Sequence, residues 1–355
     1  MKKYVASALI SLIILFGFTP RVVQAASAAE NLLYAAAAYA YINGQLQNIN
    51  DNHQQQRLAI DQRKTGIDND PDVNERLGRL YSQLKANGQI KSNYALYVSP
   101  EKDLNAFCDI GRVICVYRGN FDLTDDEVAF TLAHELRHGE AKHNIAGVQK
   151  LLGLSLIVNL FLQRNDNTTS EILAAVAANY INNEIFTMGQ EWEADEYAFN
   201  YAVAAGFNPG AGAANMARIR KKHGEIWVEG LARLINPNNH PKTSARVAAF
   251  SKKMTDYSRG KVTVAEGKTG AAILVKGQLF MVPKANYGQI QDERAYLIAG
   301  KIARAFHQKP YTLTGGDIGD DGEVLLGDIA IVTPGEGEEP AEVLAERLNV
   351  ILAVK

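Results

Sequence analysis

Residues 131–143 read TLAHELRHGEAKH, and the fold is best approached outward from them. The preceding stretch, LTDDEVAF (123–130), puts Thr124 and Glu127 in capping-box positions, so a helix is expected to start beside them. Ala129, Leu132, Ala133 and Leu136 form its apolar face. His134 and His138 each follow a core leucine by two positions, about 200° around a helical wheel. They therefore point away from the helix's own core, towards a cleft. Two histidines at i and i+4 share one face and can reach one metal ion. Glu135 is rotated off that axis, which suits a proton acceptor better than a ligand.

A zinc site of this kind needs a third protein ligand. In the metzincin pattern that ligand is a histidine six residues past the second, with a glycine at the third place. Here His143 is five past His138 and Gly139 comes first, so His143 reads as a surface histidine or a support behind the ligands. The acidic segment QEWEADEYA (190–198) is the better source. Its Glu191 and Asp195 stand at i and i+4. Glu191 can complete the metal site while Asp195 accepts from the distal nitrogen of a ligating histidine. A merely solvated acidic helix is the competing reading. The expected cofactor is one Zn2+ per chain, bound by His134, His138 and Glu191, with Glu135 as general base in peptide hydrolysis.

Around this centre the pattern is α+β and mainly helical. Residues 26–64 read as one or two helices. DPDVNERLGRLYSQLKANG (70–88) is a helix capped by Asp70, with Val73, Leu77, Leu80 and Leu84 on one stripe. NYALYV (93–98) alternates as a strand, and 105–119 reads as strand, turn, strand. A small sheet is thus expected beside the zinc helix. The apolar run LLGLSLIVNLFL (151–162) is too short to cross a bilayer and reads as a core helix or hydrophobic lid. Beyond residue 259, paired strands around Gly277 and around Gly327 are each followed by a helix. This predicts a small accessory α+β domain built from a duplicated strand–strand–helix unit, with no catalytic constellation of its own.

The stretch from Asn105 to Arg246 resembles the zinc metallopeptidase family that includes HtpX, the CAAX prenyl protease of the endoplasmic reticulum and periplasmic BepA (metallopeptidase family forty-eight, gluzincins). The pieces that carry the likeness are NAF (105–107), RVICVYRGNFD (112–122), AHELRH (133–138), EWEAD (191–195), AGFNP (205–209) and HPKTSAR (240–246). The resemblance implies a zincin-like fold and the same ligand set, with Glu135 as base. It also implies that the strand near Val113–Tyr117, with Val113, Ile114, Cys115 and Val116 and with Asn105 nearby, pairs with an extended substrate. His240 is implied as a fourth-position ligand that keeps the enzyme latent, and Arg246 as an oxyanion stabiliser. Two departures stand out. Cysteines occupy 108 and 115, and Gly119-Asn120-Phe121 replaces the family's Gly-Leu-Leu.

The bulk numbers fit this reading. The chain has 355 residues, 47% hydrophobic and 21% charged, as expected of a globular protein of about two domains. Its first 25 residues, MKKYVASALISLIILFGFTPRVVQA, combine two lysines, a short apolar run and a small-residue cleavage pattern. They read as a secretory signal peptide, followed by a peptidase domain (26–258) and the accessory domain (259–355). The expected location is the periplasm or cell envelope, or outside the cell. The net charge of −2 and the lack of a basic cluster argue against nucleic acid as a partner. Cys108 and Cys115, with Gly111 between them, suit a disulfide across a hairpin in an oxidising compartment, two buried thiols being the alternative. The function expected is zinc endopeptidase in envelope protein quality control, acting on unfolded or misassembled polypeptides. The competing class is a chaperone or assembly factor with a latent or structural zinc site. Residues 259–355 are the expected contact to a membrane surface or envelope partner.

Overall fold

The computed structural model describes residues 28–150, 187–225, 241–267, 270–309, 313 and 315–353. The signal-peptide stretch, most of the 145–189 segment with its apolar run, and His240 lie outside these.

Two helices lead in, α1 (Ala28–Asn52) and α2 (Gln54–Thr65). Helix α3 (Pro71–Ala86) is capped by the Asp70 side chain on the Asp72 amide and buries Val73, Leu77, Leu80 and Leu84. Each such aliphatic side chain contributes roughly 1.5–3 kcal/mol on leaving water. A three-stranded sheet follows, from β1 (Ala95–Ser99), β2 (Ala106–Cys108) and β3 (Val113–Tyr117), in the order β1-β3-β2. Strand β3 runs parallel to β1 and antiparallel to β2. Alternation along β3 sends Ile114 and Val116 into the main core and Val113 and Cys115 to the other face, against Tyr97, Phe107 and Leu58 of α2.

A short 3-10 turn (Arg118–Asp122) leads into α4 (Asp125–Glu140), whose capping box between Thr124 and Glu127 is formed as expected. Ala129, Leu132, Ala133 and Leu136 are fully buried. Helices α5 (Met188–Ala204), α6 (Ala211–His223) and α7 (Thr243–Tyr257) complete this part of the chain. Helix α4 packs on β2, α5 and α6, and α6 packs on α7. Alanines at 211, 213, 214 and 217 let α6 come close to its neighbours.

The C-terminal part has two parallel histories. Strands β4 (Val262–Gly267), β5 (Gly270–Val275) and β6 (Gln278–Met281) precede α8 (Gln291–Gln308). Strands β7 (Gly316–Ile318), β8 (Val324–Leu326) and β9 (Ile329–Val332) precede α9 (Ala341–Ala353). Each unit is therefore three strands and a helix, one strand more than the sequence pattern suggested. Both hairpins slip register at the same place, between Ile273 and Leu274 and between Val324 and Leu325. Matching the turn pairs Val275–Gln278 and Leu326–Ile329 shows that Gly277 and Gly327 are not equivalent. Gly277 is the second turn residue, after Lys276, and Gly327 is the first. Both lie at positive φ, where glycine is free of strain. Helix α8 covers β4, β5 and also β9, whereas α9 covers β7, β8 and also β6. Helix α8 also packs on α6 and α7, so one continuous core runs from α4 into the repeats. The molecule is mainly helical with small sheets, and no helix among the described residues is long and apolar enough to cross a membrane.

Two expectations are corrected. Cys108 and Cys115 are both buried and unbridged. Cys108 pairs with Ile114 and Phe107 with Cys115, so the one-residue offset puts the two thiols on opposite faces of the sheet. Val113, Ile114, Cys115 and Val116 cannot receive a substrate strand. Strand β3 is the central strand, both its edges are taken, and all four residues are fully buried.

Candidate active site

The site is built where α4, packed on the edge strand β2, runs beside α5. Helical spacing brings His134 and His138 to the same side of α4, and their Nε2 atoms are 3.1 Å apart. The first turn of α5 is started by Thr187, whose hydroxyl caps the Gln190 amide, and this fixes Glu191 opposite them. One Glu191 oxygen is 3.7 Å from His134 Nε2 and the other 3.5 Å from His138 Nε2. One atom from each of the three residues falls within 4.8 Å of the others, and all three residues are buried. Among the described residues this is the one cluster of three such side chains able to hold a metal ion.

Behind His134, Asp195 sits one turn on from Glu191, with its Oδ1 3.0 Å from His134 Nδ1. Arg246, from the first turn of α7, holds the other side of that carboxylate, Nε to Oδ2 at 2.7 Å and a terminal nitrogen to Oδ1 at 2.5 Å. Arg246 also lines the cavity, but its donors described here are turned to Asp195 rather than to a reacting carbonyl. Its observed contact is with Asp195, and the oxyanion role stays a proposal. Burial disfavours a charged His134, but the Asp195, Glu191 and Glu135 carboxylates together outweigh it and raise the pKa. His138, buried and beside a second imidazole, is pushed well below the usual histidine range and stays neutral.

Glu135 faces the same cavity. Burial raises its carboxyl to about 7, against the opposing pull of His134. Its partner is the Cys108 backbone N–H, on the edge of β2 that faces the helix. The hydrogen bonds Tyr117 N to Asn105 O and Asp109 N to Val113 O show which β2 groups are spent on β3. Ala106 and Cys108, lying between them in the antiparallel register, present their amides and carbonyls outward. The edge strand of the sheet is thus β2, not β3; its residues are buried, and Ala106 is the one that lines the cavity. Asn105, expected at the substrate site, does line the cavity, and its side chain accepts from the Ala106 amide at 2.8 Å. Asn120, where the resembling family has leucine, is buried and donates to the carbonyls of Asn105 (2.6 Å) and Tyr117 (3.2 Å). That departure pins the end of the edge strand.

The sequence reading missed the far wall. It is formed by Phe130 and Thr131 of α4 and by Asn215, Met216 and Ile219 of α6. Asn215 donates to Thr131 Oγ1 at 3.2 Å and is 1% exposed. An asparagine amid the alanines of AGAANMARI was the available signal.

Comparison with known proteins agrees with this geometry. Residues 68–254 match the model described as peptidase family M48. Metalloprotease LoiP of Escherichia coli (strain K12) is 27% identical over 193 residues, covering 53% of this chain and 74% of LoiP. The beta-barrel assembly-enhancing protease of Yersinia pestis is 26% identical over 156 residues, 40% of this chain but 32% of that protein.

Proposed function

The chain belongs to peptidase family M48, and from that premise we propose that it is an exported zinc-dependent endopeptidase acting on unfolded or misassembled envelope polypeptides. The carrying observation is the meeting of His134, His138 and Glu191 beside Glu135 in one cavity. Two imidazole nitrogens and a carboxylate are a donor set suited to zinc, and two lone-pair-bearing Nε2 atoms facing each other at 3.1 Å favour a cation between them. When bound, zinc polarises the scissile carbonyl and acidifies a water.

The chain's own residues do the rest. Glu135, oriented by the Cys108 N–H, takes the proton of the attacking water on its carboxylate and passes it to the leaving amide nitrogen. The Ala106 carbonyl offers an extended substrate a main-chain hydrogen bond by strand addition, and the Ala106 amide joins it when the Asn105 side chain turns away. The wall of Phe130, Met216 and Ile219 receives an apolar side chain and excludes water. Arg246 holds Asp195 in place behind His134. His240, outside the described residues, keeps its gating role as a proposal from the resemblance. The Yersinia pestis relative is named for both proteolysis and β-barrel assembly, which supports envelope polypeptides as substrates. Residues 259–355 are proposed as an accessory unit that contacts an envelope partner.

The test is cleavage of an unfolded model protein by zinc-loaded residues 26–355, wild type beside Glu135→Gln. Cutting by the wild type alone is expected, with zinc content unchanged in the variant. Equal cutting by both removes Glu135 as base. If neither cuts, the chaperone class gains and His240→Ala is the next variant.

A further inference from the structure

A histidine that offers Nε2 to a cation carries its proton on Nδ1, and in a buried site that N–H needs an acceptor. For His134 the group facing Nδ1 is the Asp195 carboxylate, with Oδ1 at 3.0 Å. His138 is 1% exposed, and its Nδ1 faces the Nδ1 of His143, at 3.0 Å. Two imidazole nitrogens in contact share one proton. Since His138 donates, His143 must accept at Nδ1 and hold its own proton on Nε2. That Nε2 lies 3.5 Å from a Glu193 carboxylate oxygen. Glu193 is in turn gripped by the Arg137 guanidinium, which stacks 3.7 Å from the centre of the Tyr197 ring. With a cation on His138 Nε2, the protons along this row all point one way.

The backbone is arranged to deliver His143 to this place. The chain turns sharply after α4, with Lys142 at φ 52°, a left-handed conformation uncommon for lysine. Gln190, the residue before the third ligand, donates to the His143 carbonyl at 3.0 Å. The next residue, Asn144, donates to the Cys108 carbonyl at 2.8 Å, on the edge strand. His143 itself is 4% exposed.

We propose that His143 is a positioning residue for the metal: through its Nδ1 it fixes the tautomer and ring orientation of His138, with Glu193 behind it. This rests on the zinc reading of His134, His138 and Glu191. The site then has two different supports, a carboxylate behind one histidine and an imidazole behind the other.

The experiment is zinc affinity of the apoprotein by chelator competition, for wild type, His143→Leu and His143→Gln. Leucine removes the acceptor, while the glutamine carbonyl oxygen can replace it. His143→Leu is expected to lose about 10- to 100-fold in affinity, the usual cost of removing such a support. His143→Gln should recover most of that, with the two apoproteins melting at the same temperature, so that loss of fold does not explain the difference. Glu193→Ala, altering a carboxylate that is 41% exposed, should fold normally and show a smaller loss in the same direction. Wild-type affinity in His143→Leu overturns the assignment, as does glutamine falling as far as leucine. A wild type that takes up no zinc instead removes the metal reading itself, so the two failures are distinct.

Discussion

Asp195 carries two loads on one carboxylate, the imidazole of His134 and the guanidinium of Arg246, with only 3% and 9% of the Asp195 and Arg246 side chains exposed. Removing one partner of such a buried pair strands a charge. Arg246→Met is expected to cost about 3–5 kcal/mol, read from urea denaturation, and adding Asp195→Asn should restore part of it. The cysteines lead to an opposite expectation. Because they sit on different faces of the sheet, melting temperatures measured with and without reductant should agree; a drop on reduction would mean the bridge forms after all. Much of this was legible in the sequence. Spacing alone gave His134, Glu135 and His138, and the acidic i, i+4 pair gave Glu191 and Asp195. The thiols' faces and the partner of His138 were not legible. The first depends on a one-residue register, and the second on a turn at Lys142 whose geometry no residue pattern announces.

The elements around the cleft are set by close contacts more than by their own propensities. Gly119 stands in the 3-10 turn where an added Cβ would lie 2.4 Å from the carbonyl oxygens of Lys102 and Asp103. Those residues lead directly into Leu104 and Asn105 on the cleft. Gly119→Ala should therefore cost about 1–3 kcal/mol through overpacking. If the edge strand guides substrate, it should also raise KM more than it lowers kcat. The long amphipathic helices were readable because their apolar faces repeat over several turns, as Leu77, Leu80 and Leu84 do. Strand β7 has three residues, too few for any period, and β4 buries chiefly its first valine. Neither carried a signal, and the repeat was consequently read one strand short. The order β1-β3-β2 was likewise hidden, because Val113–Val116 reads as apolar whether the strand is central or covered on an edge.

At the scale of the molecule, α4 and the C-terminal repeats are joined by an unusual pair of acids. Glu127, near the start of α4, and Glu293, near the start of α8, are both buried and interact, with Arg218 of α6 donating to Glu293 at 3.0 Å. Burial first, and Glu293 second, push Glu127 up to about 8. A carboxyl raised in this way stays protonated in the fold while the unfolded chain releases its proton. Its contribution to stability is complete below the ordinary glutamate range and is lost as pH rises towards 8. Urea midpoints measured from pH 5 to 8 should fall for the wild type and fall less for Glu127→Gln, the difference in slope being at most about 1.4 kcal/mol per pH unit. Close by, the first turn of α6 meets α8 glycine to glycine. A Cβ on Gly300 would come 2.4 Å from the Gly210 nitrogen, and one on Gly210 would meet the Tyr296 carbonyl. With so tight a seam, residues 26–258 alone should aggregate or melt without a cooperative transition, rather than behave as a free domain.

The crossed cover of the two repeats has a further effect, on the timing of assembly. Because α9 lies over β6 as well as its own strands, the first repeat stays unfinished until 341–353 has been made. Because α8 is also the floor under α6 and α7, the wall of the cleft waits with it. A chain still being made would hold the His134, His138 and Glu191 side chains but not the rigid groove around them. Chaperone-free refolding should accordingly show zinc uptake and recovery of tight side-chain packing in a single late phase.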